Sequence, residues 1–296
     1  MVGLVIRVWG IILSDTISYD SLRGATAADV RKAIRSGAYS KHTAGLAAGK
    51  LQCNLAILPE AYALDFLRFC QRNPKPCPVV GVSETGSPYV PTLGSEIDIR
   101  TDVPQYRVYR DGVLAEELDD ISDIWRDDLV TIALGCSFTF ENALIEAGIN
   151  IRHIEQNRTV PMYSSSLELV PAGPFHGTMV VTMRPIPYDR VADALKISAA
   201  YPQAHGAPVA SGDPAAIGIA NLNAPEWGEP VEVRAGELPL YWACGVTPQN
   251  VLLDAKLPFV ITHKPGCMLI ADVGERDELS NHTSLTSVQQ GDYHYA

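Results

Sequence analysis

Residues 241–272 read YWACGVTPQNVLLDAKLPFVITHKPGCMLIAD, and the alternation within this stretch decides the fold class. Leu240 to Ala243 has the aromatic and apolar density of a buried strand. Cys244-Gly245 breaks it. Thr247-Pro248 then supplies an N-cap residue and the proline favoured in a first helical turn, and Val251, Leu252 and Ala255 recur on one face. Phe259-Val260-Ile261 opens another strand, His263-Lys264-Pro265-Gly266 interrupts it, and Met268 to Ala271 resumes. A strand that passes through small residues into a helix start leaves unpaired backbone N–H groups at a cleft, which suits an anion.

The same design occurs a second time. Val130-Thr131-Ile132-Ala133-Leu134 is a β-rich run broken by Gly135-Cys136-Ser137. A helix follows, with Phe140, Ala143, Leu144 and Ala147 on one face and Gly148 as its stop. The plainer alternative is that both are ordinary strand–helix turns whose small residues serve packing.

Outside these junctions, Thr26-Ala27-Ala28-Asp29 forms a capping box ahead of a helix that runs to Gly37. Residues 51–58 lead into Pro59, which opens a helix ending near Asn73. Three alternating prolines (74, 76 and 78) then hold the chain extended and present Arg72, Asn73 and Lys75, either as a substrate-positioning segment or as a stiff connector. Val79 to Val82 is a continuous apolar run, read as a buried parallel strand. Residues 106–114 form a hairpin around Asp111-Gly112, and the acidic stretch 116–128 reads as a short helix. Ile151 to Ile154 reads as a weak strand. Thr178 to Met183 is a strong strand with Arg184-Pro185 at its edge, and Asp189 caps the next helix, which buries Val191, Leu195 and Ser198 or Ala199.

Strands alternating with helices predict an α/β fold. The expected arrangement is a larger three-layer α/β domain, residues 20–100 plus 190–275, with a smaller α/β (α+β) domain, 101–189, inserted in it. Residues 276–296 form a polar tail, and the apolar residues 1–14 form an extra strand or an upstream extension too short to span a membrane.

The chain has 296 residues, 47% of them hydrophobic, and a formal net charge of −11 without a basic run, which argues against nucleic-acid and anionic-membrane partners. Its six cysteines include no CxxC pair, so reduced thiols in a cytoplasmic protein are expected. No GxGxxG, Walker, HExxH or GxSxG motif is present. Chemistry therefore has to be sought where polar residues sit beside Gly or Pro. Arg184 is the leading carboxylate clamp because its guanidinium fork matches a carboxylate. On that reading Arg184→Ala abolishes turnover and leaves stability nearly intact. His205 is the leading general base, since histidine titrates near neutrality. Glu141 lies one residue beyond capping-box spacing from Ser137 and near a helix start. Cys136 and Cys244 are candidate nucleophiles at helix N-termini, or small buried residues at tight turns. Asp213 and His263 complete the set.

The strings ILPEAYALDFLRFCQRNPKPCPVVGV, DIRTDVPQYRVYRDG, GCSFTFENALIEAGI, GTMVVTMRP, HGAPV, GDPAAIGI, WACGVTPQNVLL and ITHKPGCMLIAD resemble the hydro-lyase family related to D-glutamate cyclase, over residues 21–273. The resemblance implies two α/β domains, a cytoplasmic location and a lyase that removes or adds water on a small carboxylate substrate. The related cyclase closes D-glutamate to 5-oxo-D-proline. Ala210 and Cys267 stand where members often carry histidine, which argues against a metal or acid–base role there. Carried onto this chain, Arg184 or Arg72 holds the α-carboxylate, with Asn73 beside it. His205 or Asp213 takes the amine proton. Backbone N–H groups at Gly135-Cys136-Ser137 and Gly245-Val246-Thr247, next to Cys244, receive the oxyanion. No cofactor is indicated, although a divalent metal fits the chemistry, and a homo-oligomer is compatible with the sequence. The alternatives are a non-catalytic small-carboxylate binder and a regulatory subunit of a partner enzyme.

Overall fold

The computed structural model describes residues 17–275. The readings of residues 1–14 and of the polar tail lie outside the described residues. The helices are α1 (Tyr19–Leu22), α2 (Ala27–Arg35), α3 (Glu60–Arg72), α4 (Phe138–Glu146), α5 (Arg152–Glu155), α6 (Val191–Ala199) and α7 (Val246–Asp254). The strands are β1 (Lys50–Pro59), β2 (Val79–Val82), β3 (Tyr106–Arg110), β4 (Val113–Leu118), β5 (Leu129–Gly135), β6 (Met162–Glu168), β7 (Thr178–Pro187), β8 (Ala210–Ser211), β9 (Glu237–Ala243), β10 (Val260–His263) and β11 (Leu269–Gly274).

Helices and strands combine, as expected, in an α/β structure built on two sheets. One runs β2-β5-β1-β10-β3-β4, with β11 also pairing β1, and the other runs β6-β7-β9-β8. The proposed division at residues 100 and 190 does not follow the sheets, because β3–β5 join the first sheet while β6 and β7 join the second.

β1 is the axis of the first sheet. Its C-terminal half pairs β10 and its N-terminal half pairs β11 on one side, and β5 runs along the other from Cys53↔Gly135 to Pro59↔Leu129. Leu51, Cys53, Leu55 and Ile57 pack into one core, and Ala56 and Leu58 into a second with Phe66, Phe69 and Phe175. A strand with apolar cover on both faces has no need of polar residues, yet Gln52 and Asn54 lie buried in it.

The local signals act as their chemistry demands. Thr26 Oγ1 accepts the Asp29 N–H at 3.1 Å and donates to the Asp29 carboxylate at 2.7 Å. Asp111 and Gly112 both take positive φ, 51° and 79°, which gives the turn twist a two-residue hairpin needs. α4 ends with Gly148 at φ 75°, its N–H on Ile145 O, and the Ile149 N–H on Leu144 O, a Schellman close.

Several expectations are corrected. β2 is antiparallel to β5 and is the sheet's edge, with Val79 and Val82 half-exposed; four residues are too few for periodicity to show direction. The acidic stretch is strand β4 followed by a single 3-10 turn, Ser122–Ile124, because it continues the hairpin and pairs β3 from Tyr106↔Leu118 to Arg110↔Val113. Residues 152–154 belong to α5, with Ile151 as its N-cap, rather than to a strand. Asp189 lies in a 3-10 turn ahead of α6, whose N-cap is Arg190, and Leu195 is exposed, while Ser198 is buried as expected and Ala194 is buried with it. Thr247 is not the N-cap of α7. Gly245 takes that place, and the Thr247 hydroxyl instead accepts the Val180 N–H at 3.0 Å.

Candidate functional site

The two strand–helix junctions meet across the Asn54 side chain. Its Nδ2 donates to Gly135 O at 3.0 Å. A Cβ added at Gly245 would stand 2.3 Å from the same nitrogen. Gly135 is closed in further by the Gln203 carbonyl, 1.6 Å from where its Cβ would be. Both glycines are therefore required by close approach rather than by backbone angle. Gly135 N–H donates to Pro78 O, Thr247 N–H to Cys244 O, and Val246 N–H faces Cys244 Sγ at 3.5 Å. Of the expected oxyanion donors, Ser137 and Gly245 take the N-cap positions of α4 and α7.

Arg184 is not at a strand edge. β7 continues through Pro185 to Pro187, which two prolines permit because β6 stops pairing at Thr182 and leaves one side without a ladder. Thr182, Arg184 and Ile186 face α4 from one side of the second sheet, beside Trp242 of β9. There Arg184 Nε donates to Glu141 Oε1 at 2.8 Å, Nη2 donates to the same oxygen, and Nη1 donates to Thr182 Oγ1 at 2.9 Å. The guanidinium also lies 5.0 Å from the Phe140 ring and 5.3 Å from that of Trp242. His153 Nε2 stands 3.3 Å from Glu141 Oε1.

Glu141 is 3% exposed and Arg184 1%. Burial pushes the Glu141 carboxyl up, but Arg184 and His153 outweigh it and hold the group at about 2. Glu141 is thus an ionised partner of Arg184 and not a proton donor at neutral pH. The free carboxylate clamp of the sequence reading is corrected accordingly: most of the fork is already occupied. Arg184→Ala would leave Glu141 buried without its partner, so the expectation of near-intact stability is also corrected.

His205 follows the 3-10 turn Pro202–Ala204 with φ 76°. Its Nδ1 lies 2.6 Å from Lys75 O, and a carbonyl only accepts, so the ring proton is on Nδ1 and Nε2 carries a lone pair. Nε2 is buried with no hydrogen-bond partner among the described residues. Burial lowers the imidazole to about 4; the Lys75 carbonyl opposes it, and the nearby charges of Arg184 and Lys75 add smaller lowering effects. His205 is therefore neutral at pH 7, and its Nε2 lone pair is placed to accept a hydrogen bond. The proline-rich segment has a function beyond stiffness, because Lys75 O sets the His205 tautomer while Lys75 Nζ reaches Ala207 O at 2.5 Å.

The remaining candidates divide. Cys136 and Cys244 are buried at the junctions beside Cys53, and burial pushes the Cys244 thiol up to about 12, against nucleophile activation. Arg72 donates to Pro171 O, and Asn73 bonds Phe69 O and Val170 on both its N–H and C=O, so this pair fastens α3 to the 170–171 turn. Asp213 is exposed and caps the 3-10 turn Pro214–Ile217 through Ala215 N–H. His263 accepts the Leu55 N–H on Nδ1 at 3.1 Å and touches Gln249 of α7; burial lowers it to about 4. It braces β10 against β1 one residue from Asn54.

Asn54, His153, Thr182 and Trp242 were not singled out from sequence. Only Asn54 carried a usable signal, being polar with Gln52 at alternate positions of an otherwise apolar strand. A surface groove of about 670 Å³ runs along another part of α4, lined by Asp20, Arg23, Asn142 and Glu146, among others. It contains no histidine, so the buried cluster is the better candidate for proton transfer. Among the described residues no group of three or more His, Cys, Asp or Glu side chains converges to hold a metal, and no helix is long and apolar enough to cross a membrane.

Comparison with known proteins places the sequence in a family. The D-glutamate cyclase family pattern matches residues 130–272, which contain both junctions, Glu141, Arg184 and His205. A "Putative hydro-lyase" of Jannaschia sp. is 68% identical over 254 residues, covering 86% of this chain and 96% of that protein. Similarly named proteins of Dinoroseobacter shibae and Ruegeria pomeroyi are 59% identical over 282 residues (93% of each chain) and 61% identical over 264 residues (89% and 96%). The chain belongs to the hydro-lyase family related to D-glutamate cyclase.

Proposed function

We propose that this protein is a hydro-lyase acting on a small carboxylic or amino acid, and that it closes D-glutamate to 5-oxo-D-proline. The observation that carries the reading is His205 Nε2, a buried lone pair beside Arg184 and the β5–α4 junction. In the cyclisation the ammonium gives up two protons and the nitrogen attacks the γ-carboxyl carbon. A C–N bond forms, a C–O bond breaks, and one carboxyl oxygen leaves with both protons as water. His205 takes the first proton and returns it to the departing oxygen. The Ser137 and Gly245 N–H groups stabilise the oxyanion, each worth about 3 kcal/mol when well placed. Glu141 and Arg184 hold the local charge balance and the position of His153.

The test is chiral chromatography of D- and L-glutamate incubated with the purified protein, with and without EDTA or added divalent metal. Formation of 5-oxo-D-proline from the D isomer alone is expected. Absence of product from D-glutamate under every condition rejects the cyclase reading. A saturable thermal shift without turnover would mark a small-carboxylate binder instead.

A further inference from the structure

Native proteins leave few buried polar groups unbonded, and each exception asks for an explanation. Among the described residues three such side-chain atoms, Nε2 of His153, Nε2 of His205 and Nε1 of Trp242, belong to residues gathered about one guanidinium, that of Arg184. The geometry brings them together from three directions. Trp242 lies across from Thr182 in the β7–β9 pairing, on the face that carries Arg184. Ala204, next in sequence to His205, packs in the same cluster as Phe140 and Trp242, and the Arg184 charge acts on the His205 ring. His153 reaches Glu141 from α5.

Two of the unbonded atoms have opposite senses. An indole N–H only donates. His205 Nε2, with the ring proton held on Nδ1 by Lys75 O, only accepts. We propose that this pair is the polar seat of the substrate: Trp242 Nε1–H donates to a carboxylate oxygen of a small amino acid, and His205 Nε2 accepts from its amine. The inference rests on the proposed function, from which it takes D-glutamate as the probe. It adds a substrate-binding residue, Trp242, and a basis for selection. An acid without an amine leaves His205 unanswered, and a site built to bond a polar group discriminates against analogues that lack it.

The experiment uses the full chain labelled with ¹⁵N-tryptophan. Its four tryptophans give four indole N–H resonances. Trp242 is assigned through W242F, or by elimination from Phe variants of the other three if W242F does not fold. D-glutamate and glutarate are titrated in turn, with thermal unfolding followed in parallel. The Trp242 resonance is expected to move saturably with D-glutamate, with glutarate at least tenfold weaker, and H205Q is expected to abolish that preference. A thermal shift by D-glutamate while the Trp242 resonance stays still overturns the assignment and leaves the proposed function standing. Equal binding of glutarate and D-glutamate overturns the role given to His205. Absence of both a thermal shift and a resonance change with D-glutamate overturns the D-glutamate reading, and this assignment with it.

Discussion

Glu141→Gln is the perturbation that most directly tests the buried pair. The substitution keeps the shape and an acceptor oxygen for Arg184 but removes the countercharge from a guanidinium that is 1% exposed. At a separation near 4 Å and an effective dielectric of about 20, one unit pair is worth about 4 kcal/mol, and breaking buried pairs one-sidedly costs about 3–5 kcal/mol. For a chain of this size each kcal/mol lowers the melting temperature by roughly 2–4 °C, so a fall on the order of 10 °C is expected. Arg184→Gln should cost a similar amount by leaving Glu141 unpaired. The double variant E141Q/R184Q removes both charges and should be more stable than either single variant. Urea and thermal unfolding of the four proteins at pH 7 provide the cycle. Because the folded Glu141 carboxyl lies near 2, its stabilisation is present above the ordinary carboxylate range and is lost as pH falls toward 2; E141Q should lack that loss. Single variants within 2 °C of wild type, or a double variant equal to the sum of the singles, would refute the reasoning.

Three further outcomes follow from the same physics. Both His205 and His263 are lowered to about 4, so unfolding takes up protons that the folded state refuses. Stability should be level above pH ~6.5 and fall between there and about 4, by about 3 kcal/mol per histidine; urea midpoints equal at pH 7 and 4.5 would contradict this. Gly245→Ala should cost about 1–3 kcal/mol by displacing the Asn54 amide, and much less in an Asn54→Ala background, because the three atoms nearest the added Cβ all belong to the Asn54 side chain; additive effects in denaturant would argue against the contact. Asp102 is wholly buried between Arg31 and Arg35, so Asp102→Asn should lower stability by about 3–5 kcal/mol. An unchanged melting temperature would show that this network carries little.

Much of the fold was legible because the signals that make elements are local. Thr26 and Asp29 are three residues apart, Asp111 and Gly112 adjacent, and residues 241–272 hold their strand, helix and strand limits in the order of their own side chains. The same is true of the small residues at the two junctions, which the structure joins through Asn54. Strand direction was not legible at β2, where a short apolar run is compatible with either pairing. Nor was the helix reading of residues 116–128 safe, since pairing with β3 overrides local preference once the hairpin closes.

The candidate site shows where local reading stops. Gly135, Gly245 and His205 were named from the sequence because each sits beside a break that its own neighbours announce. The partners were not. Arg184 and Glu141 are 43 residues apart, and Asn54 and Gly135 are 81 apart. A side chain's rotamers and backbone preferences depend on a few residues either side, so the sequence by itself determined many of the elements, the Thr26 and Gly148 caps and the residues able to do chemistry, but not the cap at Thr247 or the path of residues 116–128. The packing of the second sheet against α4 decided which charge Arg184 meets, and the Lys75 carbonyl decided which nitrogen of His205 is left to act. Those are contacts between distant parts of the chain, set by burial and closure, and only the tertiary structure contains them.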